Sequence, residues 1–123
     1  MSYIAIVLDE RSRRILAEQF PARNTRVLYH HVTLSVQASP AEQMRFAHMM
    51  GKTVPIKVIG HKSTQDLQAC VVQLPLGLIC RNSIPHITLT CDVPPMQANE
   101  ILALGYDKLD DPILLMGTVL LID

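Results

Sequence analysis

The spacing of apolar positions marks out most elements of the chain. Tyr3 to Leu8 is a near-continuous apolar run, which predicts a central strand buried on both faces. Asp9 or Ser12 can cap a helix reaching about Gln19, with Ile15, Leu16 and Phe20 at helical spacing and Pro21 ending it. A polar connection over residues 22–27 leads into an alternating run, Val27–Gln37. Here His31, Thr33 and Ser35 share one face, and Val32, Leu34 and Val36 the other, the pattern of a half-buried strand. Ser39, Pro40 and Glu42 have the form of a capping box opening a helix to Met50, with Gly51 just past its end. Residues 54–59 and 67–74 read as two strands of a hairpin joined by the polar stretch 60–66. Residues 75–83 form a loop or short helix. A second alternating run, Ile84–Asp92, sets His86, Thr88 and Thr90 opposite Ile87, Leu89 and Cys91. Pro94 and Pro95 then break the strand and start a helix from Met96 to about Leu104, stopped by Gly105. Asp107, Asp110 and Asp111 read as a solvated turn, and Pro112–Ile122 as a final strand. Helices follow three of the strands and no heptads appear. The predicted architecture is α+β, with two small sheets, or halves of one, and helices outside.

The two alternating runs echo each other. His31-Val32-Thr33-Leu34 and His86-Ile87-Thr88-Leu89 repeat a His-apolar-Thr-apolar pattern 55 positions apart, from 31 to 86. On each strand the His and Thr project the same way, ~6.5–7 Å apart. The order of elements on either side also repeats roughly. A pseudo-twofold arrangement of two lobes would set the two histidine strands face to face across a cleft.

Composition narrows the function classes. At 123 residues and 13.7 kDa the chain is read as one domain, residues 1–123, with 49% hydrophobic and 18% charged residues, a compact globular balance. Aromatics are 4% with no Trp, which weighs against a stacking platform for single-stranded nucleic acid. Formal net charge is zero. Arg residues gather near the beginning and acids near the end, and no long basic stripe supports extended phosphate-backbone binding. A site for a single nucleotide end is compatible with that neutrality. Cys70, Cys80 and Cys91 lack CxxC spacing and read as reduced thiols. With no signal-peptide pattern and no apolar run near the ~20 residues of a membrane span, the expectation is a soluble cytoplasmic protein.

Two imidazoles brought to one point can divide acid and base duties near neutral pH. That suits in-line displacement at phosphorus, with Thr33 and Thr88 holding the non-bridging oxygens. His48, His61 and Lys62 read as ordinary solvated side chains, and so does the Arg11, Arg13, Arg14 cluster. A zinc site of His30, His31 and His86 is set aside, because on an extended strand His30 points away from His31 and no Cys, Asp or Glu is spaced to finish the set. A Ser/His/Asp triad lacks a nucleophile elbow. The expected site therefore uses no metal and no cofactor.

At these residues the chain resembles the 2H phosphoesterase superfamily, whose signature is two His-x-Thr-x motifs. Tyr29–Leu34 and Ser83–Leu89 are most similar to the cyclic phosphodiesterase domain of tRNA ligases and small RNA-repair-like relatives. Tyr3–Asp9 and Ile56–Gly60 fit the same pattern. The resemblance implies a bilobal α+β fold with antiparallel sheets lining a central cleft. It also implies hydrolysis of 2′,3′-cyclic phosphate RNA ends or nucleoside 2′,3′-cyclic phosphates, normally to 2′-phosphates. His31 and His86 would be the catalytic pair, Thr33 and Thr88 the phosphate binders, and the partner an RNA 3′ end or small nucleotide. Tyr29, Lys62 and Arg81 are further candidates for substrate contact. The sequence leaves open which His is base and which acid. Other readings also stay open: hydrolysis of a cyclic oligonucleotide or 2′-5′ linkage, a non-catalytic nucleotide- or RNA-end-binding module, and a structural or interaction domain.

Overall fold

In the computed structural model, which describes residues 2–123, the alternating runs become strands of one antiparallel sheet that closes on itself. The order along the chain is β1 (Tyr3–Leu8), α1 (Glu10–Gln19), β2 (Arg26–Val27), β3 (His31–Ser35), α2 (Pro40–Phe46), β4 (Thr53–Ser63) and β5 (Leu67–Gln73). β6 (His86–Cys91) follows, then a 3-10 turn over Pro95–Gln97 that runs into α3 (Ala98–Ala103), and finally β7 (Asp107–Ile122). Around the barrel the strands run β6, β3, β1, β7, β4, β5 and back to β6, with the short β2 lying beside β6 next to β3. No helix among the described residues is long and apolar enough to cross a membrane.

Alternation decides what fills the barrel. Ile4, Ile6 and Leu8 of β1, Val32 and Leu34 of β3, and Ile87 and Leu89 of β6 are buried in one cluster with side chains from β4, β5 and β7. Leu16 of α1 and Phe46 of α2 join it. The opposite face of β5, through Leu67, Ala69 and Val71, packs with Ala98 and Leu102 of α3 in a second cluster. Asp9 caps α1 by accepting from the Ser12 amide at 2.7 Å, and Ser39 caps α2 by accepting from the Glu42 amide at 3.2 Å. At Gly117 backbone and side chain crowd in: a Cβ there would lie 2.6 Å from Ile6 Cγ2 and 2.8 Å from the Val7 carbonyl oxygen.

The strand pairs flanking the motifs share one register. On β1 and β3, Val7 faces His31, Ile6 faces Val32, Ala5 faces Thr33, and after a register shift Ile4 faces Ser35. On β5 and β6, Val71 faces His86, Cys70 faces Ile87, Ala69 faces Thr88, and after a register shift Gln68 faces Thr90. The irregularity falls at the same step in both. The barrel order extends the equivalence, because exchanging β3 with β6, β1 with β5 and β7 with β4 returns the same ring.

Several expectations need correcting. The histidine strands do not oppose each other across a cleft; they are neighbours in the sheet, with Val32 paired to Ile87. Of the two arrangements expected for the sheet, the structure has the second, halves of one continuous wall. His61 and Lys62 lie within β4, not in a turn, and Asp107, Asp110 and Asp111 lie within β7. Residues 109–112 fall in a register shift with no partner on β4, but pairing is kept on either side of it, with Val58 beside Ile113, Gly60 beside Lys108 and His61 beside Asp107. Backbone pairing there outweighs the weak strand preference of Asp and Gly. The regular part of α2 ends at Phe46, four residues before the expected Met50, and the chain turns on to Gly51 at φ +78°.

Candidate functional site

Pairing of Val32 with Ile87 fixes what happens one step to either side. In an antiparallel pair His31 then lies across from Thr88 and Thr33 across from His86, all four on the face opposite the apolar core. The two motifs thus interleave as one patch of alternating imidazoles and hydroxyls. All four side chains line one cleft of about 270 Å³, with Arg26, Leu28, His30, Val36, Asn82, Pro95, Met96 and Asn99 around them.

The run expected as one strand, Val27–Gln37, is broken. Val27 faces Thr90 and Val32 faces Ile87, so five steps on one side span three on β6, and two surplus residues bulge out. Tyr29 sits in the bulge at φ +45°, the left-handed region that bulky residues avoid. Its hydroxyl donates to the Phe20 carbonyl at 2.5 Å. Arg13 of α1 donates through Nε to the Tyr29 carbonyl at 2.8 Å and through Nη2 to the Leu28 carbonyl at 3.3 Å. The Leu8 amide donates to the His30 carbonyl at 2.9 Å. With alternation interrupted, His30 does not point away from His31: their Nδ1 atoms are 3.0 Å apart and both rings line the cleft.

The two motif histidines are held differently. His86 Nδ1 lies 2.8 Å from the Ile84 carbonyl oxygen. A carbonyl only accepts, so Nδ1 carries the hydrogen and Nε2 is the nitrogen left for chemistry. Burial lowers the His86 pKa, and the Ile84 carbonyl opposes that by stabilising the charged ring. Burial also lowers His31, with the neighbouring His30 and His86 adding to it, to about 4. The Tyr3 ring leans over His31, centroids 5.4 Å apart. Among the described residues no group of three or more His, Cys, Asp or Glu side chains is placed to hold a metal ion.

Two polar clamps flank the patch. Ser35 of β3 donates to Glu42 at 2.7 Å, and Glu42 grips Arg81 through contacts of 2.6 and 3.2 Å. The Arg81 guanidinium, with Ser35, holds the Glu42 carboxyl down at about 2. At the equivalent register position Thr90 of β6 lies 2.8 Å from Asn24 Oδ1 and 2.7 Å from Gln68 Oε1. Asn24 in turn donates to Asp92 at 3.0 Å, and the Thr25 amide donates to Asp92 at 2.9 Å. Arg81 precedes β6 and Asn24 precedes β3, so each motif strand clamps the segment that delivers the other.

Of the further candidates from the sequence, none lines the cleft. Tyr29 is buried as the bulge anchor, Lys62 lies on β4, and Arg81 is committed to Glu42. The cleft residues the sequence reading missed are Arg26, Leu28, Val36, Asn82, Pro95, Met96 and Asn99, together with the position of His30. Arg26 was hidden in what reads as a polar connection, and only its pairing with Cys91 brings it beside the motifs. No protein-family model matches the chain, and no curated protein matches it.

Proposed function

We propose that the cleft hydrolyses a small phosphodiester, with a 2′,3′-cyclic phosphate on a nucleoside or RNA end as substrate and a 2′-phosphate as product. The observation that carries this reading is the interleaving of His31, Thr33, His86 and Thr88 on one wall of one cleft. Two imidazoles and two hydroxyls within reach of one phosphorus supply base, acid and two oxygen-binding donors. The doubled register supports a two-lobed 2H phosphoesterase fold whose lobes have merged into one barrel.

The surroundings favour a division of labour. His31, held low, is neutral at neutral pH and takes the proton from water as it attacks phosphorus. His86 has a carbonyl behind Nδ1 to stabilise its charged form, and a bound phosphate anion raises its pKa further. It gives its Nε2 proton to the departing ribose 3′-oxygen as the phosphorus–oxygen bond breaks. Thr33 and Thr88 hold the non-bridging oxygens, and Arg26 is the cation in the cleft wall, enough for a substrate of one negative charge. Leu28, Val36, Pro95 and Met96 give a base or ribose an apolar rest, with Asn82 and Asn99 as hydrogen-bonding edges.

The test is turnover of nucleoside 2′,3′-cyclic phosphates in excess EDTA, with products identified by phosphorus NMR. Conversion to a 2′-phosphate by wild type, lost in His31→Ala and His86→Ala proteins that still fold, supports the reading. Binding of the nucleotide without turnover would instead make the cleft a nucleotide- or RNA-end-binding module.

A further inference from the structure

The backbone around His30 is unusual in a way the two motifs do not require. Two surplus residues, a left-handed Tyr29, the Arg13 grip on two successive carbonyls and the tie from Leu8 all fix one short turn. Strain of this kind persists where surrounding structure enforces it, and it gathers at functional sites. The product of the turn is the contact between the Nδ1 atoms of His30 and His31. Two nitrogens at that distance share one hydrogen, so one ring donates and the other accepts.

We propose that His30 is a positioning residue: its Nδ1 accepts the Nδ1–H of His31, fixing the tautomer that leaves the His31 Nε2 lone pair facing the cleft. The inference rests on the phosphodiesterase reading for its consequence, but the tautomer is a property of the resting protein. It makes the halves chemically alike, since the Ile84 carbonyl does for His86 what His30 does for His31. When His31 takes the proton of water on Nε2, its Nδ1–H stays directed at His30, and the ring cannot turn away with its charge. The titratable and charged groups facing this pair are His86 on β6, Arg26 on β2 and Tyr3 on β1, while Arg13 of α1 grips the carbonyls behind it. None of these places a carboxylate on His31, and among the described residues the side-chain partner at its Nδ1 is another imidazole.

The experiment is nitrogen-15 NMR of the imidazoles at neutral pH in wild type, His30→Ala and His30→Asn, with kcat and KM measured for a nucleoside 2′,3′-cyclic phosphate. His31 is expected in its Nδ1–H tautomer in wild type and to lose that preference in His30→Ala. It should recover the preference in His30→Asn, whose amide oxygen reaches the place of Nδ1. His30→Ala should lower kcat by ~10-fold or more with little change in KM, short of the 10²–10⁴-fold that a positioned base is worth, and His30→Asn should restore part of it. A wild-type His31 in the Nε2–H tautomer, or a His30→Ala protein with unchanged His31 spectra, overturns the proposal. Should wild type turn over no cyclic phosphate, the enzymatic reading fails, while the spectra still decide the role of His30.

Discussion

The β1–β3 and β5–β6 walls of the barrel have the same register, the same irregularity and the same motif, yet their surroundings differ in polarity. Where Ile4 lies fully buried opposite Ser35, its counterpart Gln68 is buried opposite Thr90 and bonded to it. The clamp at Ser35 runs outward through a half-buried Glu42 to an exposed Arg81, whereas the clamp at Thr90 is enclosed with Asn24 and Gln68. The motif histidines differ too, His86 tied to a backbone carbonyl and His31 to another imidazole. A shared backbone frame can therefore place two like groups while each side tunes its own group separately. The frame sets position, and local contacts set proton affinity.

The sharpest way to probe this equivalence is to remove each working group in turn. His31→Ala and His86→Ala should each lower kcat by ~10²–10⁴-fold on a cyclic phosphate. A large loss in one alone would show that the halves share geometry but not function. Thr33→Val and Thr88→Val should follow at ~10²-fold each if both hydroxyls stabilise the charge developing on phosphate.

Stability probes separate the halves further. The folded pKa of His31 lies below the unfolded value, so the unfolded chain takes the proton first as pH falls. Its contribution is intact above pH 6.5 and is lost progressively between 6.5 and about 4, at most about 3 kcal/mol. Denaturant midpoints measured across that window should fall in wild type and fall less in His31→Gln. The two clamps give the next contrast. Asn24→Ala leaves buried partners unpaired and should cost ~1–3 kcal/mol in urea unfolding, while Arg81→Met, at a pair open to solvent on the arginine side, should lower the midpoint by less. Equal effects would mean that the enclosed clamp carries no more of the fold than the open one.

The periodicity of the sequence revealed the pieces but not their closure. Alternation was legible at His31–Leu34 and His86–Leu89 because Val32, Leu34, Ile87 and Leu89 fill the core while His31, Thr33 and Thr88 are more open, but past the register shifts it fails, since Ser35, Thr90 and Cys91 are buried as well. The four motif residues were legible for the same reason, as two copies of one pattern. Side-by-side pairing of the strands was not, since Val32 facing Ile87 depends on contacts 55 positions apart that no local preference encodes. The bulge at Tyr29 was illegible because the sequence offers no Gly there, and Arg13 and Phe20 supply the hold from α1 and its end. His30 was consequently misdirected, and Arg26 and Asn99 went unseen. The start of β7 was masked by charged residues, of which Asp107 and Lys108 are held by pairing with His61 and Gly60 of β4.

The closing seam of the barrel joins its first strand to its last, with Tyr3 beside Ile122 and Leu8 beside Gly117. β1 lacks that neighbour until β7 has been made and has come back to it. Folding of this barrel is governed by pairings between distant segments, whose loop-closure entropy must be overcome before any contact rewards it, and such topologies reach the native state in milliseconds to seconds, not microseconds. While a ribosome is still making the chain, β1 and the cleft strand β3 beside it therefore wait with an apolar edge uncovered. The wall that carries the cleft is complete only once β7 has paired with β1.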